Sequence, residues 1–135
     1  MQVQVAAPNQ VHQLWSVVEP FFKAAEKYSD GDCTVEQLKL QLVSGVQTLL
    51  VAVEDNEIKG AAALSVVSLP NHRVAQITYM GGKDIVGDEA FNQVVAWAKS
   101  QGATKIRAWA KDAQARLYRQ KVGLNTTTHV VEKLI

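Results

Sequence analysis

The chain has 135 residues, of which 47% are hydrophobic and 20% are charged. This length and composition are typical of a single globular domain over residues 1–135 with a substantial core. No apolar run approaches the roughly 20 residues of a membrane-crossing helix, and the first residues do not form a secretory signal. Because Cys33 is the single cysteine, no internal disulfide can form, and we expect a cytoplasmic protein.

The first third of the chain predicts one strand and two helices. The period-two alternation of "QVQVA" at 2–6 predicts a strand. Pro8 then opens a helix with an apolar stripe, and Pro20 inside that stripe is expected to kink or divide it. Thr34, with a glutamine three residues later, is typical of a capping box and predicts a second helix that ends at Gly45.

Three β segments follow in an order that is typical of hairpins. "QTLLVAVE" at 47–54 turns through "DN" into "EIKGAAALSVVSL" at 57–69. "PNH" then turns into "RVAQITYM" at 73–80. Short polar turns between such runs favour an antiparallel meander of three strands.

The last third of the chain predicts a crossover. A helix from about Asp88 to Gln101 is followed by the strand "TKIRAWA" at 104–110. A strand, helix and strand of this length form a right-handed crossover, so "RVAQITYM" and "TKIRAWA" should be parallel neighbours that splay apart beside Gly81 and Gly82. A helix over 112–121 and a terminal strand ending in "HVVEKLI" complete the prediction.

A basic segment from Lys99 to Lys121 makes the charge uneven, although the net charge is only +1. It holds seven Lys or Arg residues against one acid, Asp112. Three interpretations stay open: a solvated surface, a site for a phosphorylated cofactor, and a surface for nucleic acid or another polyanion. We rank nucleic acid last and expect no appreciable binding at physiological salt.

The order of these elements resembles that of the Gcn5-related N-acetyltransferase (GNAT) family, over almost the whole chain. "GDEAFNQVVAWAKSQGATKI" at 87–106 is similar to the family's cofactor helix and following strand, and "ARLYRQKVGL" at 115–124 is similar to its "A..LY.K.GF" ending. "YMGGKD" at 79–84 also resembles short, divergent members encoded by phages and prophages. The resemblance implies an α/β (α+β) fold with a mixed, mostly antiparallel central sheet flanked by helices, and a splayed parallel strand pair.

The family binds acetyl coenzyme A (acetyl-CoA) through a Q/R-x-x-G-x-G/A loop, over which "GKDIVG" at 82–87 can be laid. Gly87 matches the final glycine, whereas Gly82 and Ile85 stand at the Gln/Arg and the first glycine. The loop therefore keeps the scaffold of a phosphate site and lacks most of its diagnostic residues, and Gly81 with Gly82 offers a different anion nest. The cofactor-binding residues that the resemblance implies are Thr78, Tyr79, Met80, Gly81, Gly82, Lys83, Gly87 and Asp88.

The resemblance implies catalytic residues less directly than cofactor-binding residues. A tyrosine on the family's last helix often protonates the departing thiolate, and Tyr118 is the candidate. Tyr118 precedes Gly123 by five residues instead of the family's four, which turns its side chain by about 100°, so packing beneath the helix is the alternative. Tyr79 is the candidate general base, with His72 and Glu54 as further polar candidates.

No metal site is predicted, since the three histidines lack the spacing of metal ligands. The leading hypothesis is N-acyl transfer dependent on acetyl-CoA or another acyl-CoA, with a small-molecule or protein amine as acceptor. The alternative is a non-catalytic, phage-type GNAT-like protein that acts in assembly or partner binding, for which a homodimer, a virion partner and a virion-associated location stay open.

Overall fold

The computed structural model describes residues 1–82 and 87–135, except for the side chain of Asp88. This part of the chain holds a five-stranded sheet and four α-helices. Their bounds are β1 Gln2–Ala6, α1 Val11–Glu26, α2 Val35–Ser44, β2 Thr48–Glu54, β3 Glu57–Ser68, β4 Arg73–Gly82, α3 Asp88–Ser100, β5 Lys105–Ala108 and α4 Asp112–Val122. A single 3-10 turn, Pro8–Gln10, leads into α1. None of the described helices is long and apolar enough to span a membrane.

The strands lie in the order β1-β2-β3-β4-β5, and each pairs with its sequence neighbour. The first three pairings are antiparallel and the last, between β4 and β5, is parallel. The β2–β3 turn uses positive φ angles at Asp55 (53°) and Asn56 (63°), a conformation that Asp and Asn tolerate better than most residues. The predicted meander, the crossover and the fold class are therefore confirmed.

A bulge interrupts β4 in its second half. Ile77 pairs with Leu64 and Tyr79 pairs with Ala63, so Thr78 is an extra residue between two register positions. Because of this insertion the side chains change phase: Ile77 packs in the cluster beneath α3, whereas Tyr79 packs in the cluster beneath α1 and α2. The bulge thus decides which face of the sheet each residue near the end of β4 serves.

The sheet separates two apolar cores. One core joins α1 and α2 to the sheet through fully buried residues such as Val18, Phe22 and Leu38. The other joins α3 to the opposite face through Phe91 and Val94. Helix α2 has the predicted capping box and ends at Gly45 with a φ of 80°, as the local sequence indicates.

Helix α1 continues through Pro20, so of the two outcomes expected there, a kink or a division, division does not occur. Pro20 lies exposed, where water can serve the carbonyl that loses its partner. The expected terminal strand is wrong. No strand forms in "HVVEKLI": residues 125–135 are exposed and unpaired, with Val131 at 90% and Leu134 at 99% exposure. Strand-forming residues alone do not make a strand without a partner edge and a face to bury.

Candidate functional site

A cleft opens where β4 and β5 part. Their pairing ends at Ile77 and Ala108, where β5 also ends, while β4 continues to Gly82, so the last residues of β4 have no β5 partner on that side. The cleft has two adjoining lobes of about 170 Å³ and about 330 Å³. Both lobes are lined by Ala25, Tyr28, Met80, Gln114 and Tyr118.

The two lobes differ in chemistry. We call the smaller one the polar lobe; its further lining includes Ser29, Asp30, Asp32, Cys33, Gln47, Gln76, Thr78, Tyr79 and Trp109. The larger one is the apolar lobe, whose further lining is Phe21, Ala24, Gly81, Gly82, Ala113 and Leu117. A polar and an apolar compartment that meet at shared residues are suited to bind two different chemical groups side by side.

Tyr118 of α4 lies at the junction of the two lobes. Its side chain is partly buried, and that burial raises the pKa of the phenol above its usual value. A phenol with a raised pKa keeps its proton at neutral pH and can donate it. Tyr118, the predicted proton donor, thus lines the cleft. Although its side chain packs partly beneath the helix, it can still contact a ligand in the cleft.

Tyr79 lies mainly in the core. The side chain is 5% exposed and packs edge-on against Phe22 with ring centroids 6.0 Å apart. Its hydroxyl donates a hydrogen bond to the Cys33 carbonyl at 2.6 Å. Burial is the main cause that raises the pKa of Tyr79. A proton donor with a raised pKa is a poor general base, so the geometry favours a structural role for this residue.

Thr78, the bulge residue, connects the cleft to a buried amide. Its hydroxyl contacts Gln47 Oε1 and lies 3.1 Å from the Ala63 carbonyl oxygen. Gln47 is 6% exposed and bonds onward to Gln41 Oε1 at 2.6 Å. This chain of contacts from α2 to β4 fixes the bulge, since a buried amide needs such partners.

Gly81 and Gly82 are required by the fold itself. A Cβ atom on Gly81 would come closer than 3.0 Å to the Phe21 carbonyl oxygen of α1. A Cβ atom on Gly82, whose φ is 113°, would come equally close to Gly60 of β3. The glycine pair therefore has an explanation that needs no ligand, although both residues also line the apolar lobe.

The remaining predicted residues are placed as follows. Met80 lines both lobes, and Gly87 is the N-cap of α3, which begins at Asp88 and has no side-chain cap hydrogen bond. Lys83 and Ile85 lie outside the described residues. Neither of the other base candidates lines the cleft: His72 contacts Thr104 in the turn before β4, and Glu54 lies near the chain's amino terminus.

Several lining residues of the polar lobe are not predicted as site residues from the sequence. Asp30, Asp32 and Trp109 are the ones among them with a charge or a large exposed ring. Trp109 is 53% exposed at the end of β5. The available signal was the coincidence of a carboxylate-bearing loop before α2 with a tryptophan at the end of a crossover strand, where ligand sites often lie.

Comparisons with known proteins match at the level of structure. No family model and no curated protein matches the chain. An aminoglycoside acetyltransferase from an uncultured soil metagenomic sample, solved with trehalose, has 15% identity and a TM-score of 0.69, covering 99% of this chain and 96% of that one. A predicted acetyltransferase from Clostridium acetobutylicum, solved with acetyl-CoA, has 18% identity and a TM-score of 0.69, covering 98% and 95%.

A third similar structure is a ribosomal-protein-alanine N-acetyltransferase from Brucella melitensis biovar Abortus 2308. It has 12% identity and a TM-score of 0.68, and the match covers 98% of this chain and 100% of that one. At such low sequence identity, these structural similarities establish the fold alone. The chain has the GNAT fold, in which the parallel β4–β5 pair lies at one edge of the described sheet.

Proposed function

We propose that this protein is an N-acyltransferase that uses acetyl-CoA or a related acyl-CoA. The observation that carries the proposal is the two-lobed cleft beside the part of β4 that continues past β5, with Tyr118 at the junction of the lobes. Solved proteins of the same fold are acetyltransferases, and one of them was solved with acetyl-CoA, which supports the same cofactor here.

The described residues fit such a cofactor in two respects. The apolar lobe has room and apolar walls for an acyl-pantetheine chain beside Gly81 and Leu117. Gly87, the N-cap of helix α3, makes no side-chain cap hydrogen bond, so the N–H groups of the first turn can face a phosphate. The end of β4, from Thr78 to Gly82, and the start of α3 would hold the cofactor.

When bound, the cofactor supplies an acyl group activated as a thioester. β4 has no β5 partner beyond Ile77, so main-chain N–H groups on that side can polarise the acyl carbonyl. Tyr118, at the junction of the lobes, would donate its proton to the thiolate that is released when the acyl group passes to the acceptor amine. Asp30 and Asp32 are carboxylates that line the cleft and can accept the amine's proton, directly or through water.

Calorimetric titration with acetyl-CoA, followed by an acetyl-transfer assay, tests the proposal. Tyr118→Phe should lower kcat about tenfold to a hundredfold without weakening cofactor binding, since only proton donation is lost. The raised pKa keeps Tyr118 protonated as the pH passes the usual tyrosine value near 10, so its ionisation should lower kcat only above that pH. A Tyr118→Phe enzyme with unchanged kcat would contradict the assigned role.

A second candidate is the non-catalytic protein that acts through partner binding. The exposed apolar residues of the C-terminal segment, Val130, Val131, Leu134 and Ile135, favour it, since such residues on a surface are typical of interaction sites. Absence of acetyl-CoA binding in the titration would favour this candidate over the enzyme.

A further inference from the structure

We infer that the polar lobe selects acceptor amines that carry a second positive charge, with Asp30 and Asp32 as the specificity-determining carboxylates and Trp109 as the wall against which the acceptor packs. The inference rests on the proposed function, because it names the acceptor class of the same cleft. It concerns small, flexible di- or polyamines and excludes amines that carry a carboxylate.

The charge of the polar lobe is the first argument. Its lining includes the carboxylates of Asp30 and Asp32, and within the described chain no Lys, Arg or His lines it. Neither carboxylate is in an ion pair with another described residue, although five such pairs exist elsewhere in that part of the molecule. An unbalanced pair of negative charges at the mouth of a small cavity attracts cations and repels anions.

The negative charge of Asp32 acts on groups inside the polar lobe, and the Cys33 thiol is an example. Its thiol is partly buried among the lining residues, and its pKa is raised first by burial and then by the charge of Asp32. The neighbouring carboxylate therefore disfavours negative charge inside the lobe. An acceptor with its own carboxylate would meet the same penalty, whereas an ammonium group would gain the opposite effect.

Trp109 is the second, independent feature. A tryptophan that is 53% exposed at a cavity wall leaves a large apolar surface in contact with water. The guanidinium of Arg107 lies 5.8 Å from the ring centroid, within the range of a cation–π contact. The methylene chain or the ammonium of a diamine would cover this surface while its charge faces the carboxylates.

The shape of the cleft sets the length and position of the acceptor. The polar lobe holds about 170 Å³ and meets the apolar lobe at Met80 and Tyr118, where the acyl group would arrive. One amine must reach this junction, while the second charge lies toward Asp30 and Asp32 in the connection between α1 and α2. A short linear diamine satisfies both requirements.

The test compares three acceptors of matched length: 1,5-diaminopentane, pentylamine and 5-aminopentanoate, whose far ends are positive, neutral and negative. We expect kcat/KM to fall in that order, with about tenfold between the diamine and pentylamine at low ionic strength. Raising the salt concentration should shrink this preference because it screens the charges. Equal values for the three, or a preference for 5-aminopentanoate, would overturn the inference.

Charge variants identify the responsible residues. Asp30→Asn/Asp32→Asn should bring the ratio of kcat/KM between diamine and pentylamine close to the statistical value set by the diamine's pair of equivalent amino groups. Asp55→Asn, which removes a carboxylate that lines neither lobe, should keep the wild-type ratio. If the two carboxylates acted only as bases, the double variant would slow the reactions of the diamine and of pentylamine equally. The ratio of kcat/KM would then stay unchanged, and this result would contradict the inference.

A binding experiment separates this inference from the proposed function. Titration of the isotope-labelled protein with 1,5-diaminopentane, followed by NMR, should shift the Trp109 indole and Ser29 amide signals, and the double variant should lose these shifts. Shifts in a protein that does not bind acetyl-CoA would support the cation-selective lobe while refuting the enzyme. Absence of shifts in a protein that binds acetyl-CoA would refute the lobe's selectivity and leave the enzyme intact.

Discussion

Gly81 and Gly82 lie where three backbone segments meet. Gly81 faces the Phe21 carbonyl of α1, and Gly82 faces Gly60 on β3, each too closely for a Cβ atom. The pairing of Gly82 with Gly60 and of Gly81 with Ala61 keeps small residues on both strands at this point. These contacts bring β4 and α1 together at the apolar lobe, so the glycines shape the cleft whether or not they touch a ligand.

Gly81→Ala and Gly82→Ala should each lower the free energy of unfolding by about 2 kcal/mol or more, because the new Cβ atom forces backbone apart. Denaturant unfolding followed by circular dichroism measures the loss. Gly31→Ala is the matched control, since Gly31 also has a positive φ of 83° but no atom within 4 Å of its Cβ position. If Gly82→Ala cost no more than Gly31→Ala, steric exclusion at Gly60 would not be the cause.

Tyr79→Phe distinguishes the two roles discussed for this tyrosine. The change removes the hydrogen bond to the Cys33 carbonyl, so the free energy of unfolding should fall by about 1 kcal/mol while the ring packing stays. The pH profile of kcat for acetyl transfer should keep its wild-type shape. A lost or shifted acidic limb in that profile would instead identify Tyr79 as the general base.

The connection between α1 and α2 is the element on which the polar lobe depends. Glu26 at the end of α1 accepts a hydrogen bond from the Val35 amide at 2.8 Å, and the Cys33 carbonyl accepts one from the Tyr79 hydroxyl. Thr34 and Gln37 complete the start of α2 through reciprocal cap hydrogen bonds. These contacts lie on both sides of Asp30 and Asp32 and hold the carboxylate-bearing loop against the sheet.

Thr34→Ala should lower the free energy of unfolding by about 1 kcal/mol, because the Gln37 amide loses the hydroxyl that caps it. Thr127→Ala, in the exposed C-terminal segment, is the control and should change stability by less than about 0.5 kcal/mol. Chemical denaturation of both variants measures the difference. Equal values for the two would mean that the cap adds nothing to α2 in the folded chain.

Elements with local signals could be predicted from the sequence, and features that depend on distant contacts could not. The capping box at Thr34, the turn at Asp55 and the end of α2 at Gly45 need only neighbouring residues, and all three are confirmed. The bulge at Thr78 depends on register with β3, and the polar lobe joins residues from the α1–α2 connection, β4 and β5. The failed terminal strand has the same cause, since its residues have strand propensity but no partner.

At the scale of the whole molecule, the sheet ends at β5 and the chain continues past it as an unpaired segment. Residues 125–135 are exposed throughout, whereas Leu124 packs on the core beneath α3 and its amide bonds to the Tyr118 carbonyl at 3.2 Å. The boundary between folded and unpaired chain therefore lies directly after Leu124.

A chain that stops after Leu124 should keep the full-length free energy of unfolding to within about 0.5 kcal/mol, because the removed residues bury no core surface. A chain that stops after Val122 should be clearly less stable, since it also loses the left-handed cap at Gly123 and the packing of Leu124. Thermal unfolding of both truncations provides the measurement. Destabilisation by the shorter deletion would mean that the segment pairs with the domain after all.

Helix α4 supplies Leu117 and Tyr118 to the cleft but has no buried residue of its own. A helix with so little anchoring area opens locally at a cost below that of global unfolding, so its amide protons should exchange with solvent sooner than those of the central strands. A ligand in the apolar lobe would cover Leu117 and add the packing that the helix lacks. Ligand affinity and the slowing of exchange in α4 are then two measures of one coupled equilibrium, and tighter ligands should protect the helix for longer.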